Sequence, residues 1–298
     1  MKRVLFFLGL FLFVAGGMSQ AQSVLDAEDD QDFTNFYTKS LTKEKRAMPY
    51  QALREDDVVW QHWVWRTIDF REKFNQFFYY PVYKVDEEVK SNQQGRASLT
   101  RVLMEAFKEG LIECYVDDDM QIPVDYESMI SKINTETITH IAEFDEYGDE
   151  MEGRDTIIRN EFQPENVFSC KLKEAWYIDK QDTRQKVRIV GLSLVYNFCK
   201  DRGDELECMP VDLFWVPMND MRVRNVLVVN NRYDERNDRA DMTYDDVFVT
   251  RLFDSFVTRE TNTYNRPISA YLTGTDAILE SQRIEDELFN LESDMWEY

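Results

Sequence analysis

Two histidines, four cysteines and 57 carboxylates are the side chains through which this 298-residue chain can do chemistry. His62 stands among tryptophans and His140 in the string Thr139-His140-Ile141, neither with a second ligand at metal-binding spacing, so a histidine base or metal site has little to draw on. The sequence has no phosphate-cradling glycine loop, no nucleophile-elbow serine and no paired-histidine zinc helix. Two carboxylates flanking a sugar would suffice for glycoside hydrolysis, but nothing singles out a pair whose pKa values are pushed apart. Asp117-Asp118-Asp119 and the group Asp234, Asn237, Asp238 and Asp241 carry the oxygens that calcium prefers, yet neither follows the twelve-residue loop with its central glycine. No cofactor is implied. Cysteine oxidation is what remains. Cys199 and Cys208 flank a polar tip between two strand-like runs, where a disulfide would staple a hairpin and contribute roughly 2–3 kcal/mol in an oxidising compartment. Cys114 and Cys170 are left over, either paired with each other or held as buried thiols.

That compartment is read from the first residues. Lys2 and Arg3, the apolar run from Val4 to Val14 and the small-residue site Ser19-Gln20-Ala21 have the pattern of an export signal over 1–21. The apolar stretch is shorter than the about 20 residues a bilayer demands, and no cysteine stands beside the cleavage site to take a lipid. The expectation is a periplasmic protein without direct membrane insertion, attached to the outer membrane through a partner. A net charge of −22 repels polyanions, which excludes nucleic acid as a partner and disfavours anionic headgroups. Partners should present basic patches instead, or divalent ions should screen the contact. With 43% hydrophobic and 14% aromatic residues, the chain has ample material for a core.

The elements that must position these groups follow from periodicity. Residues 22–55 hold few apolar anchors and read as an extended N-terminal arm. A helical lobe is predicted over 56–133. Its first helix, 56–75, has Trp60, Trp63, Val64, Ile68 and Phe74 on one face, while Trp65 and Phe70 project elsewhere as candidates for a partner contact. A second helix starts at the cap Ser98 and stops at Gly110, followed by a strand over 111–116. Residues 134–164 are predicted as an acidic connecting loop. Within 165–298, strands are expected over 167–178, 185–198, 213–216 and 225–229. A capping box at Thr243 opens a helix with Tyr244, Val247, Phe248, Leu252 and Phe256 at helical spacing. The final helix starts near Thr275 and puts Ile278, Ile284, Leu288, Leu291 and Met295 on one face. It ends on Trp296 and Tyr298, two further candidate contact residues. The expected fold is α+β: an N-terminal helical lobe, a central antiparallel sheet and C-terminal helices.

A set of short strings in fixed order adds to this. Asp57-Val58-Val59-Trp60, Val64-Trp65-Arg66, Tyr79-Tyr80-Pro81, Trp176-Tyr177-Ile178-Asp179, Val187-Arg188-Ile189-Val190-Gly191, Thr243-Tyr244-Asp245-Asp246, Ala277-Ile278-Leu279-Glu280-Ser281 and Asp294-Met295-Trp296-Glu297 together resemble the GldN/PorN family of the type IX secretion system. Each string is made of ordinary residues; their shared order over more than two hundred positions is what is specific. The resemblance implies a non-enzymatic periplasmic component of the secretion and gliding machinery. In that family the protein forms a ring with the outer-membrane lipoprotein GldK or PorK and meets the motor protein GldM or PorM. Two other classes are compatible with the residues alone. A carboxylate-dependent hydrolase would show turnover, and a small-ligand binding module would show saturable binding without it.

Overall fold

Residues 58–69 are rich in tryptophan and valine, residues that suit a pleated, half-buried surface better than a helix interior. In the computed structural model they form a strand, β1 (Val58–Asp69), and not the helix that their spacing suggested. Trp60, Val64 and Ile68 recur every four residues, a spacing that satisfies both a helical stripe and one face of a strand. The β-branched content decides between them. The structure describes residues 45–82, 96–144, 150–160, 162–182, 184–201, 206–232, 234, 237 and 242–296. The expected export signal and most of the predicted arm lie outside them.

β1 joins an antiparallel sheet of seven strands in the order β3-β2-β8-β7-β6-β1-β9. The strands are β2 (Cys114–Tyr115), β3 (Pro123–Val124), β6 (Val167–Asp179), β7 (Gln185–Asp201), β8 (Leu206–Pro217) and β9 (Phe256–Glu260). Strands β6 and β7 stand where alternation predicted them; β8 contains the short 213–216 run, and β2 is only the end of the predicted 111–116 strand. A second, two-stranded sheet pairs β4 (Thr135–Phe144) with β5 (Glu150–Asn160). It replaces the connecting loop expected over 134–164. The acidic residues there masked an alternating Thr135, Thr137, Thr139 series with the β-branched content of a strand.

Register sorts the large sheet into two faces. Ile68 lies opposite Cys170 and Cys170 opposite Leu194, while Leu172 is flanked by Leu192 and Leu192 by Val216. These residues are buried under α2 (Leu99–Lys108), α4 (Met221–Val229) and α5 (Tyr244–Thr250) in the main core. The other helices are α1 (Gln76–Tyr79), α3 (Tyr126–Ile133) and α6 (Thr275–Trp296). Helix α4 occupies the place of the strand expected over 225–229. Asp220 caps it by accepting from the Arg222 amide, and Val223 and Leu227, four apart, are fully buried, so packing at helical period overrides the β-branched run.

Several polar groups tie the helices together. The Tyr244 hydroxyl donates to the Ala97 carbonyl at 2.7 Å from a buried position. Thr243 and Asp246 form the reciprocal capping box that opens α5. The helix then stops at Arg251, whose φ of 55° is left-handed, so Phe256 starts β9 instead of continuing the helical face. Arg224 of α4 grips Asp245 of α5 through two 2.8 Å hydrogen bonds, both residues being buried. Arg224 also stacks on Tyr50 and donates to the Met48 carbonyl, so residues 47–50 of the predicted arm lie on the fold itself. A smaller core of Val64, Val257, Ile268, Ile284 and Leu288 seats α6 at the β9 end of the sheet. Among the described residues, no helix is long and apolar enough to cross a membrane.

Candidate functional site

The sheet face opposite the main core carries Trp65, Lys173 and Gly191 in one row and Thr67, Lys171, Ser193 and Trp215 in the next. A side chain on Gly191 would collide with Met120 and crowd Trp215, so the missing Cβ lets the loop between β2 and β3 rest on this face. That loop delivers Asp118. Its carboxylate accepts from the Trp65 indole N–H at 2.9 Å and stands 3.6 Å from the Lys173 ammonium and 3.8 Å from the Arg259 guanidinium. Arg259 lies 3.9 Å above the Trp65 ring, and Lys173 sits within 5.5 Å of both Trp63 and Trp65. The cluster is a cation–aromatic stack closed by a carboxylate.

Beside it runs a groove of about 820 Å³ between the sheet, the Asp118 loop, the short 3-10 turn Ile268–Ala270 and the start of α6. Trp65, Val116, Trp215, Phe256 and Ile278 give it an apolar lining. Most of its charges are paired: Lys171 donates to Asp212 at 2.7 Å, and Asp118 already faces two cations, while Asp117 takes part in no ion pair among the described residues. With Trp65, Val116, Trp215, Phe256 and Ile278 in its lining, the groove suits recognition of an apolar group.

Helix α6 is the second feature. Its 22 residues touch the sheet through a narrow strip, with Ser281, Ile284 and Leu288 buried. The Ser281 hydroxyl accepts the Val257 amide at 3.0 Å, covering part of the β9 edge, and Glu285 receives Arg66. On the flank away from the groove, Arg283 donates to Glu280 and Glu287. These hydrogen bonds hold the Glu280 carboxyl below its ordinary range. Contrary to the predicted single apolar face, Ile278 is 67% exposed, and so are Leu279 (59%) and Phe289 (71%).

The residues singled out in the sequence are scattered. Trp65 and Phe70 are largely enclosed, at 8% and 1% exposure: Trp65 lies under the Asp118 loop and Arg259 and shows only its margin to the groove, and Phe70, just past β1, packs in the main core. Trp296 is the last residue of α6, and Tyr298 lies outside the described residues. Cys199 and Cys208 face each other across β7 and β8 and form a disulfide. Cys114 and Cys170 are separate buried thiols, and burial pushes both pKa values up. His62 pairs with Glu260 at 3.3 Å, and His140 lies on β4. Of the three aspartates considered for calcium, Asp118 and Asp119 face Lys173 and Asp117 lines the groove. Asp234 and Asn237 are described, whereas Asp238 and Asp241 are not. Among the described residues no group of three His, Cys, Asp or Glu side chains converges as metal ligands. Phe289 was missed although the helical wheel places it well off the Ile284 and Leu288 face. The Asp118 cluster was not legible, because it joins residues more than 50 positions apart.

A family model described as "Gliding motility associated protein GldN" matches residues 53–297, which takes in every strand and helix described above. No curated protein matches the chain.

Proposed function

Because the chain belongs to the GldN family of gliding motility associated proteins, we propose that it is a non-enzymatic structural subunit of the type IX secretion and gliding machinery. It is exported by its N-terminal signal and held at the periplasmic side of the outer membrane by the lipoprotein GldK or PorK. With that partner it builds a ring, and it contacts the periplasmic part of the motor protein GldM or PorM. The family match over 53–297 is the observation that carries this reading. The surface chemistry agrees with it: the groove has a largely apolar lining, and α6 exposes large apolar side chains, as an assembling subunit would. Ring closure needs two different surfaces that each fit the neighbour's other surface, and the groove and the outer side of α6 are unlike one another.

Affinity isolation of the tagged, full-length protein from detergent-solubilised envelopes tests the reading. The lipoprotein and the motor protein should be recovered with it in defined ratios, and deleting the gene should stop secretion of type IX substrates. Recovery of the protein alone, with secretion intact in the deletion strain, would overturn it. The groove favours one other role, a small-ligand binding module. Saturable binding of an apolar ligand, lost on Phe256→Ala and accompanied by normal secretion in the deletion strain, would establish that role in its place.

A further inference from the structure

Ile278 and Phe289 lie eleven residues apart on α6, about three turns, which brings them to within about 20° of one another around the helix and about 16 Å apart along it. Both point to solvent. Ile284 and Leu288, which anchor the helix to the sheet, lie roughly 80–140° away around the axis, so the exposed pair forms a separate stripe and is no frayed margin of the core. Leu279 is exposed as well, roughly 80–100° around the axis from the pair and on the side away from Leu288. Exposed apolar groups on one side of a helix are what an amphipathic partner helix packs against.

The charges around the stripe say what fits it. Between Thr275 and Trp296 the helix carries the acids Asp276, Glu280, Glu285, Asp286, Glu287, Glu292 and Asp294 against one base, Arg283. Arg283 lies on the opposite flank and is engaged by Glu280, Glu287 and Glu260. Glu285 is engaged by Arg66. Asp286 on one side of the stripe and Glu292 on the other take part in no ion pair among the described residues. A second copy bringing the same stripe face to face would set these carboxylates against their own images, which costs energy at both rims. An anionic membrane surface is repelled for the same reason.

We propose that the Ile278/Phe289 stripe of α6 docks a cationic amphipathic helix of a partner protein, one that offers apolar side chains about three turns apart flanked by lysine or arginine. This deepens the proposed assembly role and rests on it for the identity of the partner, although the chemistry of the surface stands without it. Ile278 also lines the mouth of the groove, so the partner's first apolar anchor has a pocket to enter.

The test uses the full mature chain and two synthetic 18-residue helical peptides with the same leucine stripe, one with lysine and one with glutamate at every polar position. The lysine peptide should bind and weaken as salt is raised, and the glutamate peptide should not. Ile278→Ser with Phe289→Ser should weaken lysine-peptide binding roughly tenfold or more, as loss of central apolar anchors does. Because both residues are exposed, the melting temperature should hold. Asp286→Asn with Glu292→Gln should leave binding detectable but less salt-dependent. Binding that survives the double serine change would mean that overall acidity alone attracts the peptide, and would overturn the proposal. So would equal binding of both peptides, or wild-type self-association that the serine variant abolishes. If the peptide results hold while the envelope isolation recovers neither lipoprotein nor motor protein, the stripe stands and the assembly role fails. If the isolation succeeds equally with the serine variant and the peptides do not bind, the reverse holds.

Discussion

At the residue scale, the groups that looked reactive in the sequence are mostly spent on structure. The two free thiols sit in the main core with raised pKa values, so almost no thiolate is present at neutral pH and reagents cannot reach either sulfur. Native, non-reduced protein should therefore react with no equivalents of a thiol reagent, the denatured protein with two, and the denatured and reduced protein with four; a fast-reacting native thiol or four free thiols without reduction would contradict the assignment. Arg224 is the most consequential ion-pair partner. Hydrogen bonding to Asp245 raises its pKa, outweighing the opposite effect of burial. Arg224→Ala would strand the Asp245 carboxylate in the core and release Tyr50, at a cost of about 3–5 kcal/mol. Denaturant unfolding measures this, and a loss below about 1 kcal/mol would show that the pair is not effectively buried.

At the element scale, the sheet was partly legible and its first strand was not. β6 and β7 are long runs rich in β-branched and aromatic residues that alternate in part, as at Cys170-Lys171-Leu172-Lys173 and Leu192-Ser193-Leu194, and they are read as strands despite their bulges. β1 hid because its apolar residues fall on a spacing common to both periods, and α4 hid because Val226, Val228 and Val229 mimic a strand until Asp220 is recognised as a cap. Helix α6 was read correctly as a helix, but its apolar residues were merged into one face when they form two. The Glu280–Arg283 contact offers a pH test of how α6 is held. A carboxyl whose folded pKa is lowered stabilises the fold fully above its unfolded pKa, and that contribution is lost as pH falls through the lowered value. Glu280→Gln should thus cost less than about 1 kcal/mol at neutral pH, because the pair is open to solvent on the arginine side, lowering the melting temperature slightly and flattening its decline as pH falls below the usual glutamate range. Identical pH profiles for variant and wild type would remove Glu280 from the account.

At the scale of the whole molecule, order along the chain revealed more than any single residue did. Most of the strings that marked the family lie in β1, β6, β7, α5 and α6, the elements that build the sheet and seat the last helix, and Tyr79-Tyr80-Pro81 follows from the end of α1. What the sequence withheld was surface: Trp65 and Phe70 looked available and are enclosed, while Phe289 looked ordinary and is bare. Exposure depends on partners distant in sequence, which no local pattern reports. The central claim is that this chain is an assembling subunit. Single-particle imaging of the full-length protein isolated from envelopes together with its lipoprotein partner tests that most directly. The account predicts closed rings in which copies of the chain alternate contacts through two unlike surfaces, with α6 facing another protein. Monodisperse, unassembled particles of the chain, with the lipoprotein absent and α6 facing solvent throughout, would contradict it.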